Sequence, residues 1–224
     1  MKQSKLFPAE KGHIGTDESG KGDYFGPLVV AGVFLPEKQE GVLRELGVRD
    51  CKKISESRLR ELSEILKKGY KHSLVVIGPQ KYNELYEKLR NINRILAWAH
   101  ARAIENILEE VPCSLAITDQ FGSKLSVLNA LMKKGKSIEL IQKTQAEEDM
   151  AVAAASILAR AEFLKRLYFL SKDMQVELPK GSSPQAEEAG VKLVELKGAQ
   201  VLDQVAKKHF KLTPRIMAVV KDKK

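Results

Sequence analysis

The chain has 224 residues, of which 43% are hydrophobic and 30% charged, a composition typical of a soluble globular protein. No apolar run approaches the roughly 20 residues that span a bilayer, and the N-terminus lacks the apolar segment of a secretory signal. The net charge of +9 favours a polyanionic partner, because each neutralised phosphate releases counterions, although a solubilising surface accounts for the same excess. Two isolated cysteines, Cys51 and Cys113, offer no zinc site and fit a reducing compartment, so we expect a cytoplasmic protein.

The hydrophobic pattern predicts strands first and then strands that alternate with helices. The run FGPLVVAGVFL is apolar and rich in β-branched residues, which is typical of a strand covered on both faces. In chain order, we predict strands at residues 13–19, 25–35, 73–78, 115–119 and 138–141, and helices at 55–68, 82–110 with a break near 91–93, 124–133, 150–170 and within 184–206.

This order predicts an α/β fold with a central mixed sheet flanked by helices, its early strands joined by short turns and its later ones by crossovers. No stretch of the sequence reads as a linker. We therefore predict a short N-terminal extension at residues 1–12 and one domain at residues 13–224, whose C-terminal part is helical from about residue 184.

The densest chemical signal is the segment GTDESGKGD, which begins at Gly15. Asp17 and Glu18 end a predicted strand, and Gly20 and Gly22 let the backbone of the following turn approach a phosphate or a sugar closely. Neighbouring side chains of a strand point to opposite faces, so a shared metal site requires the strand to end or twist here. The alternative is an exposed turn with solvated acids.

The same segment nearly matches a phosphate-binding P-loop, because Gly15 is followed five residues later by Gly20-Lys21. Three features exclude that site. Gly22 stands where a magnesium-binding Ser or Thr is needed, Asp17 and Glu18 would repel the phosphates, and a strand follows instead of a helix.

Two further acidic positions lie at the ends of predicted elements. Asp119 ends the buried strand LAITD, where a carboxylate is well placed for function, although capping the next helix is an equally good explanation. Glu147, Glu148 and Asp149 open the long helix, where acids usually compensate the helix dipole. Helical spacing puts Glu147 and Glu148 above an apolar stripe and Asp149 on a more polar side, so Glu147 ranks first and Glu148 second.

Four carboxylates without His or Cys ligands suit Mg²⁺ or Mn²⁺, which prefer oxygen donors. Two such ions roughly 3.5–4 Å apart activate a water and stabilise a leaving oxygen in phosphodiester cleavage. The acids would repel one another without metal, so divalent ions are expected to stabilise the fold as well.

The segment IGTDESGKGDYFGPLVVAGV resembles the opening motif of the type 2 ribonucleases H, specifically ribonuclease HIII. The similarity continues through four further segments and covers nearly all of residues 13–171, with HFKLT as a late motif. These segments are GVRDCKKIS, YNELYEKLRNINRILAWAHARAIENIL, ITDQFGSK and AEEDMAVAAASILAR.

The resemblance implies a ribonuclease H-like fold with a five-stranded sheet and an endonuclease that cuts the RNA strand of RNA–DNA hybrids with two divalent ions, leaving 3′-hydroxyl and 5′-phosphate ends. The family's acids fall on Asp17, Glu18, Asp119 and Glu147, with Glu148 open as the fourth. Its substrate-binding turn falls on Gly20, Lys21 and Gly22, and Ser19 shares that surface. The 2′-hydroxyl that such a turn contacts is what separates RNA from DNA.

Members of the ribonuclease HIII branch usually carry an additional N-terminal substrate-binding domain, and only residues 1–12 precede the motif here. We expect this difference to affect affinity for the hybrid and not the chemistry. The partner is the hybrid and not a membrane, and the chain is expected to be a monomer. Two alternatives stay open: ribonuclease HII-like cleavage at single ribonucleotides, and a non-catalytic hybrid-binding protein.

Overall fold

The computed structural model describes residues 11–48, 54–119, 125–131 and 134–222, with the backbone alone at Leu125 and Ser126. Most of the predicted N-terminal extension, residues 1–10, lies outside these ranges. So do residues 49–53 of the segment GVRDCKKIS and residues 120–124 of the segment ITDQFGSK.

The described elements alternate in the predicted order. The strands are β1 (Gly12–Ser19), β2 (Leu28–Pro36), β3 (His72–Ile77), β4 (Leu115–Asp119) and β5 (Glu139–Lys143). The helices are α1 (Glu40–Glu45), α2 (Glu56–Gly69), α3 (Pro79–Leu89), α4 (Ile92–Leu108), α5 (Leu125–Ala130), α6 (Met150–Met174), α7 (Pro184–Lys197), α8 (Val201–Val205) and α9 (Leu212–Asp222). Over the described residues, none of these helices is long and apolar enough to cross a membrane.

The five strands form one sheet in the order β3-β2-β1-β4-β5, so β1 is central. β1 runs parallel to β4, and β4 runs parallel to β5. All nine residues of β2 are buried, as the sequence predicted for a strand covered on both faces. The predicted mixed five-stranded sheet with flanking helices and a helical C-terminal segment is confirmed.

The chain forms two compact units. The first comprises residues 11–17, 30–75 and 96–158 among those described, and holds most of the sheet. Its core packs β1 and β4 against α4 through Ile14, Ala116 and Ile104. The second comprises residues 18–29, 76–95 and 159–222, and in it α7 packs against both α8 and α9. The boundaries predicted from the sequence, with one domain over residues 13–224, stay a prediction.

The start of β2 and two helices differ from the sequence prediction. β2 begins at Leu28 and not at Phe25, because Gly26 has a positive φ of 81° and Pro27 has no amide proton for a strand partner. The short helix α1, which lies with α2 between β2 and β3, was not predicted. Of the early connections, the one between β1 and β2 is short. Residues 212–222 form a separate helix, α9, inside the C-terminal part that was predicted to be helical, although no bounds were predicted for it.

The first turn of α6 lies directly on β1 at Gly15. A Cβ at Gly15 would stand 2.2 Å from the carbonyl carbon of Ala151 and 2.2 Å from the amide nitrogen of Val152. Both atoms belong to backbone, which does not move aside as a flexible side chain does. Gly15 is therefore required for the close approach of the helix to the sheet.

A buried histidine joins β1 and β4 at their adjacent threonines. The His100 side chain is fully buried, and its Nδ1 lies 2.9 Å from Thr16 Oγ1 and 3.2 Å from Thr118 Oγ1. The two threonines are register partners in the parallel pair and are themselves fully buried. The histidine therefore links the two strands by hydrogen bonds just before both strands end.

Replacing Gly15 with Ala is expected to destabilise the fold by about 2 kcal/mol or more, since the added methyl group overlaps backbone atoms of α6. Urea unfolding followed by circular dichroism measures the change. Gly69→Ala is the matched control, because a Cβ there meets nothing within 4 Å. A loss of stability no larger than that of the control would contradict the close packing.

Replacing His100 with Leu is expected to cost about 1–3 kcal/mol, because the Thr16 and Thr118 hydroxyls then lose this partner in a buried site. Replacing both threonines with Val in the same variant is expected to recover part of that loss, since isosteric apolar pairs leave no hydroxyl to satisfy. Denaturant midpoints of the single and triple variants test this. Equal stability of the two would rule out the hydrogen-bonded link.

Candidate active site

Asp17 and Asp119 lie side by side in the first unit at the carboxyl ends of adjacent parallel strands. The last register partners of β1 and β4 are Thr16 and Thr118, and each aspartate follows directly along its strand. Both side chains are half-buried. Parallel neighbours bring their carboxyl ends to one edge of the sheet, so these two acids share that edge.

Glu147 lies in a short 3₁₀ turn, Ala146–Glu148, that packs against β4 in the same unit. The amide of Ala146 donates to Asp119 Oδ1 at 3.4 Å, which ties this turn to the end of the strand. Glu147 is half-buried, whereas Glu148 is exposed. The backbone therefore brings Glu147 next to the edge where Asp17 and Asp119 lie.

The sequence analysis ranked Glu147 before Glu148 on the assumption that both lie in the first turn of the long helix, and this assumption was wrong. α6 begins only at Met150, so Glu147 and Glu148 precede the helix. From Ala151 to Ala159 the helix is buried on every side, and it has no polar face that the spacing could identify. The ranking of Glu147 before Glu148 now depends on burial and on the contact between Ala146 and Asp119.

Asp149 stabilises the start of α6. Its Oδ1 accepts from the amides of Ala151 and Val152, at 3.0 and 3.1 Å, and so caps α6. His13 Nε2 lies 2.9 Å from Asp149 Oδ2. Burial acts to raise the pKa of Asp149, but the hydrogen bond and charge of His13, with the two amides, hold that pKa below its ordinary value.

The predicted substrate-binding residues lie in the second unit. Lys21 Nζ is 3.5 Å from Glu18 Oε1, and the Glu18 side chain is only 11% exposed. Gly20 has a φ of 90° and is buried, and a Cβ there would meet Pro27 O at 2.2 Å. Gly22 is exposed, with nothing within 4 Å of the position of a Cβ. The turn thus has a tightly packed base and an open tip.

The turn also bears out the exclusion of a phosphate-binding P-loop. That site needs a helix whose N-terminus faces the phosphates. Here Phe25 forms an isolated antiparallel bridge with Ala206, and β2 follows at Leu28. The segment after the turn is therefore extended.

The donor chemistry of the acids fits divalent metal ions. Asp17, Asp119 and Glu147 offer only carboxylate oxygens, which suit Mg²⁺ and Mn²⁺ and not the softer metals. In the part of the chain that the structure describes, no three His, Cys, Asp or Glu side chains converge on a preformed metal site. Like charges repel, so metal-free carboxylates at one sheet edge are expected to point apart until a cation draws them together.

Two buried polar residues, one in each unit, were not identified as important from the sequence. His100 shows no functional signal, because it stands on an apolar helix face where a packed histidine is the ordinary explanation. Lys207, fully buried, belongs to the pair Lys207–Lys208, which looks like a solvated charge run. In both cases the partners are distant in sequence, and no local spacing reveals them.

The chain matches known proteins over almost its whole length. The sequence model of the family "Ribonuclease HII" matches residues 14–213. The chain is 44% identical to the ribonuclease HIII of Protochlamydia amoebophila over 208 residues, which is 93% of this chain and 69% of that protein. It is 42% identical to the ribonuclease HIII of Chlamydia felis over 203 residues, which is 88% of this chain and 67% of that protein.

A solved structure shares the fold. The crystal structure of Bst-RNase HIII in complex with Mn²⁺ superposes with a TM-score of 0.88 at 28% identity, and the match covers 96% of this chain and 71% of that one. The sequence and structural matches together show that this chain belongs to the ribonuclease HII family of metal-dependent endoribonucleases and that its relatives within it are the ribonucleases HIII.

Proposed function

We propose that this protein hydrolyses the RNA strand of RNA–DNA hybrids and leaves 3′-hydroxyl and 5′-phosphate ends. The observation that carries the proposal is the pair Asp17 and Asp119 at the carboxyl ends of adjacent parallel strands, in a chain of the ribonuclease HII family. Family membership favours the enzyme over the non-catalytic hybrid-binding alternative.

Asp17, Glu18, Asp119 and Glu147 are the proposed ligands of two divalent ions, Mg²⁺ or Mn²⁺. When bound, such ions lower the pKa of water and stabilise the charge that develops on the leaving oxygen. Asp17 and Asp119 project from strands that are hydrogen-bonded to each other, which limits how far their carboxylates can move. Glu147 approaches from the turn that Ala146 ties to Asp119. Glu18 follows Asp17 directly along the chain.

Ser19, Gly20, Lys21 and Gly22 are proposed to bind the RNA strand. Gly22 is exposed and has no side chain, which leaves its backbone groups accessible to a sugar. Gly20 is buried and fixes the base of the turn. Lys21 adds a positive charge beside Glu18, which is suited to a phosphate of the same strand. Contacts to 2′-hydroxyls distinguish RNA from DNA.

The remaining proposals come from the sequence. We propose a cytoplasmic location, with which the two isolated cysteines agree, and a monomeric state. Analytical ultracentrifugation of the purified protein and of its complex with a short hybrid tests the monomeric state.

Replacing Asp119 with Asn is expected to lower cleavage of a labelled RNA–DNA hybrid by at least about 100-fold. Replacing a residue that only hydrogen-bonds to a metal ligand already lowers activity by up to about 100-fold, and a ligand itself is expected to matter at least as much. Binding of the hybrid is expected to persist. Asp173→Asn, at an exposed position, is the control. Cleavage by Asp119→Asn at the wild-type rate would exclude Asp119 as a ligand.

The same assay resolves the choice of substrate if a second duplex carries a single ribonucleotide in DNA. Each duplex is tested with Mg²⁺, with Mn²⁺ and with chelator. We expect metal-dependent cutting of the longer RNA tract only. Cutting of both duplexes would assign ribonuclease HII-like specificity to the chain.

Glu147→Gln and Glu148→Gln form a matched pair that tests the fourth ligand. We expect Glu147→Gln to lose at least about 100-fold in rate and Glu148→Gln to stay within about threefold of wild type, because only Glu147 is half-buried beside Asp119. Rates are measured over a series of Mn²⁺ concentrations. The opposite order would transfer the ligand role to Glu148.

A further inference from the structure

Lys207 is a lysine with no exposed surface. Its neighbour Lys208 keeps 38% of its side chain exposed and pairs with Asp203 at the surface. An ammonium group is costly to bury unless hydrogen-bond acceptors replace its water. The hydrogen-bond acceptors of Lys207 therefore show which part of the chain its buried ammonium group stabilises.

Lys207 donates to four consecutive carbonyl groups of one segment, residues 23–26. Its Nζ donates to the carbonyl oxygens of Asp23 at 2.7 Å, Gly26 at 2.8 Å and Phe25 at 3.4 Å. Its backbone amide donates to Tyr24 O at 2.9 Å. A single residue thus satisfies every carbonyl between Asp23 and Gly26.

The same segment is held by its other polar groups. Gly181 donates to Asp23 Oδ1 at 2.6 Å and accepts from the Tyr24 amide at 2.9 Å. Tyr24 Oη lies 3.0 Å from Thr213 Oγ1. The Gly26 amide donates to Val205 O at 2.9 Å. Residues 23–26 are therefore fixed almost completely by residues from the last 45 positions of the chain.

This segment is the base of the turn Gly20-Lys21-Gly22. On one side the turn is fixed at Gly20, which packs against the ring of Phe163. On the other side it continues directly into Asp23, whose carbonyl is the nearest acceptor of the Lys207 ammonium. The tip at Gly22 is open, so its geometry depends on these two ends.

Lysine is suited to this position because carbonyl oxygens that face one point repel one another unless donors lie between them. An ammonium group supplies three donors. Burial lowers the pKa of Lys207 to about 7, and the charge of Asp23 opposes that shift. A neutral amine still has two N–H groups, enough for the two shorter contacts, so the link persists on either side of neutral pH.

We propose that Lys207 is a positioning residue for the substrate-binding turn: by holding the carbonyls of residues 23–26 it sets the conformation in which Gly20, Lys21 and Gly22 meet the RNA strand. The inference rests on the proposed function of that turn. Lys207 itself is buried and does not contact the nucleic acid.

The first test is independent of substrate. Lys207→Met keeps an unbranched side chain, one atom shorter than that of lysine, and removes its donors. Lys208→Met makes the same substitution one residue away. Amide hydrogen exchange of a peptide that covers residues 20–26 is expected to accelerate at least about tenfold in Lys207→Met and to stay unchanged in Lys208→Met. Unchanged exchange in a folded Lys207→Met protein would overturn the proposal. If Lys207→Met does not fold, Lys207→Gln serves in its place. Its side chain ends one atom short of the Nζ position and brings a carbonyl oxygen toward the carbonyls of residues 23–26, so the same acceleration is expected.

The second test measures binding of a hybrid in chelator by fluorescence anisotropy. We expect Lys207→Met to raise Kd at least about tenfold and Lys208→Met by less than about threefold. In a Lys21→Ala background, Lys207→Met is expected to raise Kd by a smaller factor. The effects of two substitutions on binding are not additive when both act through the same contact, here the contact of Lys21 with the RNA strand. Equal losses in both lysine variants, or an undiminished loss in the Lys21→Ala background, would contradict the positioning role.

Failure of the proposed function has a different signature. A wild-type protein that binds a hybrid no better than a DNA duplex of the same sequence would refute hybrid recognition while the exchange result still tests the link between Lys207 and the turn. The two conclusions are therefore separable.

Discussion

The contact between β1 and the first turn of α6 is the constraint on which the arrangement of the first unit depends. Gly15 allows it, since any side chain there would overlap the backbone of Ala151 and Val152. The same approach places the chain just before α6, with Glu147, near the strand that carries Asp17. Asp149 then caps the helix and hydrogen-bonds to His13, so the start of α6 is fixed by packing, by capping and by a side-chain hydrogen bond.

Below the acids, two buried hydroxyl groups of the sheet share one buried histidine as their partner. Thr16 and Thr118 precede the two aspartates and both reach His100. Carboxylates that share a sheet edge repel one another, and this repulsion acts to separate the strands that carry them. Hydrogen bonds directly beneath the aspartates oppose that separation where metal is absent. The buried histidine therefore stabilises a local arrangement that the acids alone would weaken.

Much of the fold was predictable because its signals are local. The strand LAITD was predicted with its observed bounds, Leu115–Asp119, and the break between α3 and α4 lies close to the predicted one. The start of β2 was predicted wrongly. Apolar residues begin at Phe25, but Gly26 and Pro27 interrupt the strand geometry, so the strand begins only at Leu28. Periodicity also failed for the first part of α6, because residues 151–159 are buried on every side and leave no polar face there.

Residues whose role depends on distant partners were the ones that sequence patterns did not identify. Lys207 and Lys208 are identical neighbours, yet one is buried against carbonyls and the other lies at the surface. The four carbonyls of residues 23–26 lie between β1 and β2, outside both strands, and need donors from elsewhere. The turn it supports must keep small residues at Gly20 and Gly22, and therefore has few side chains of its own to fix its shape. The donors then come from the late part of the chain, which makes a buried lysine more than 180 positions away part of the geometry of the turn.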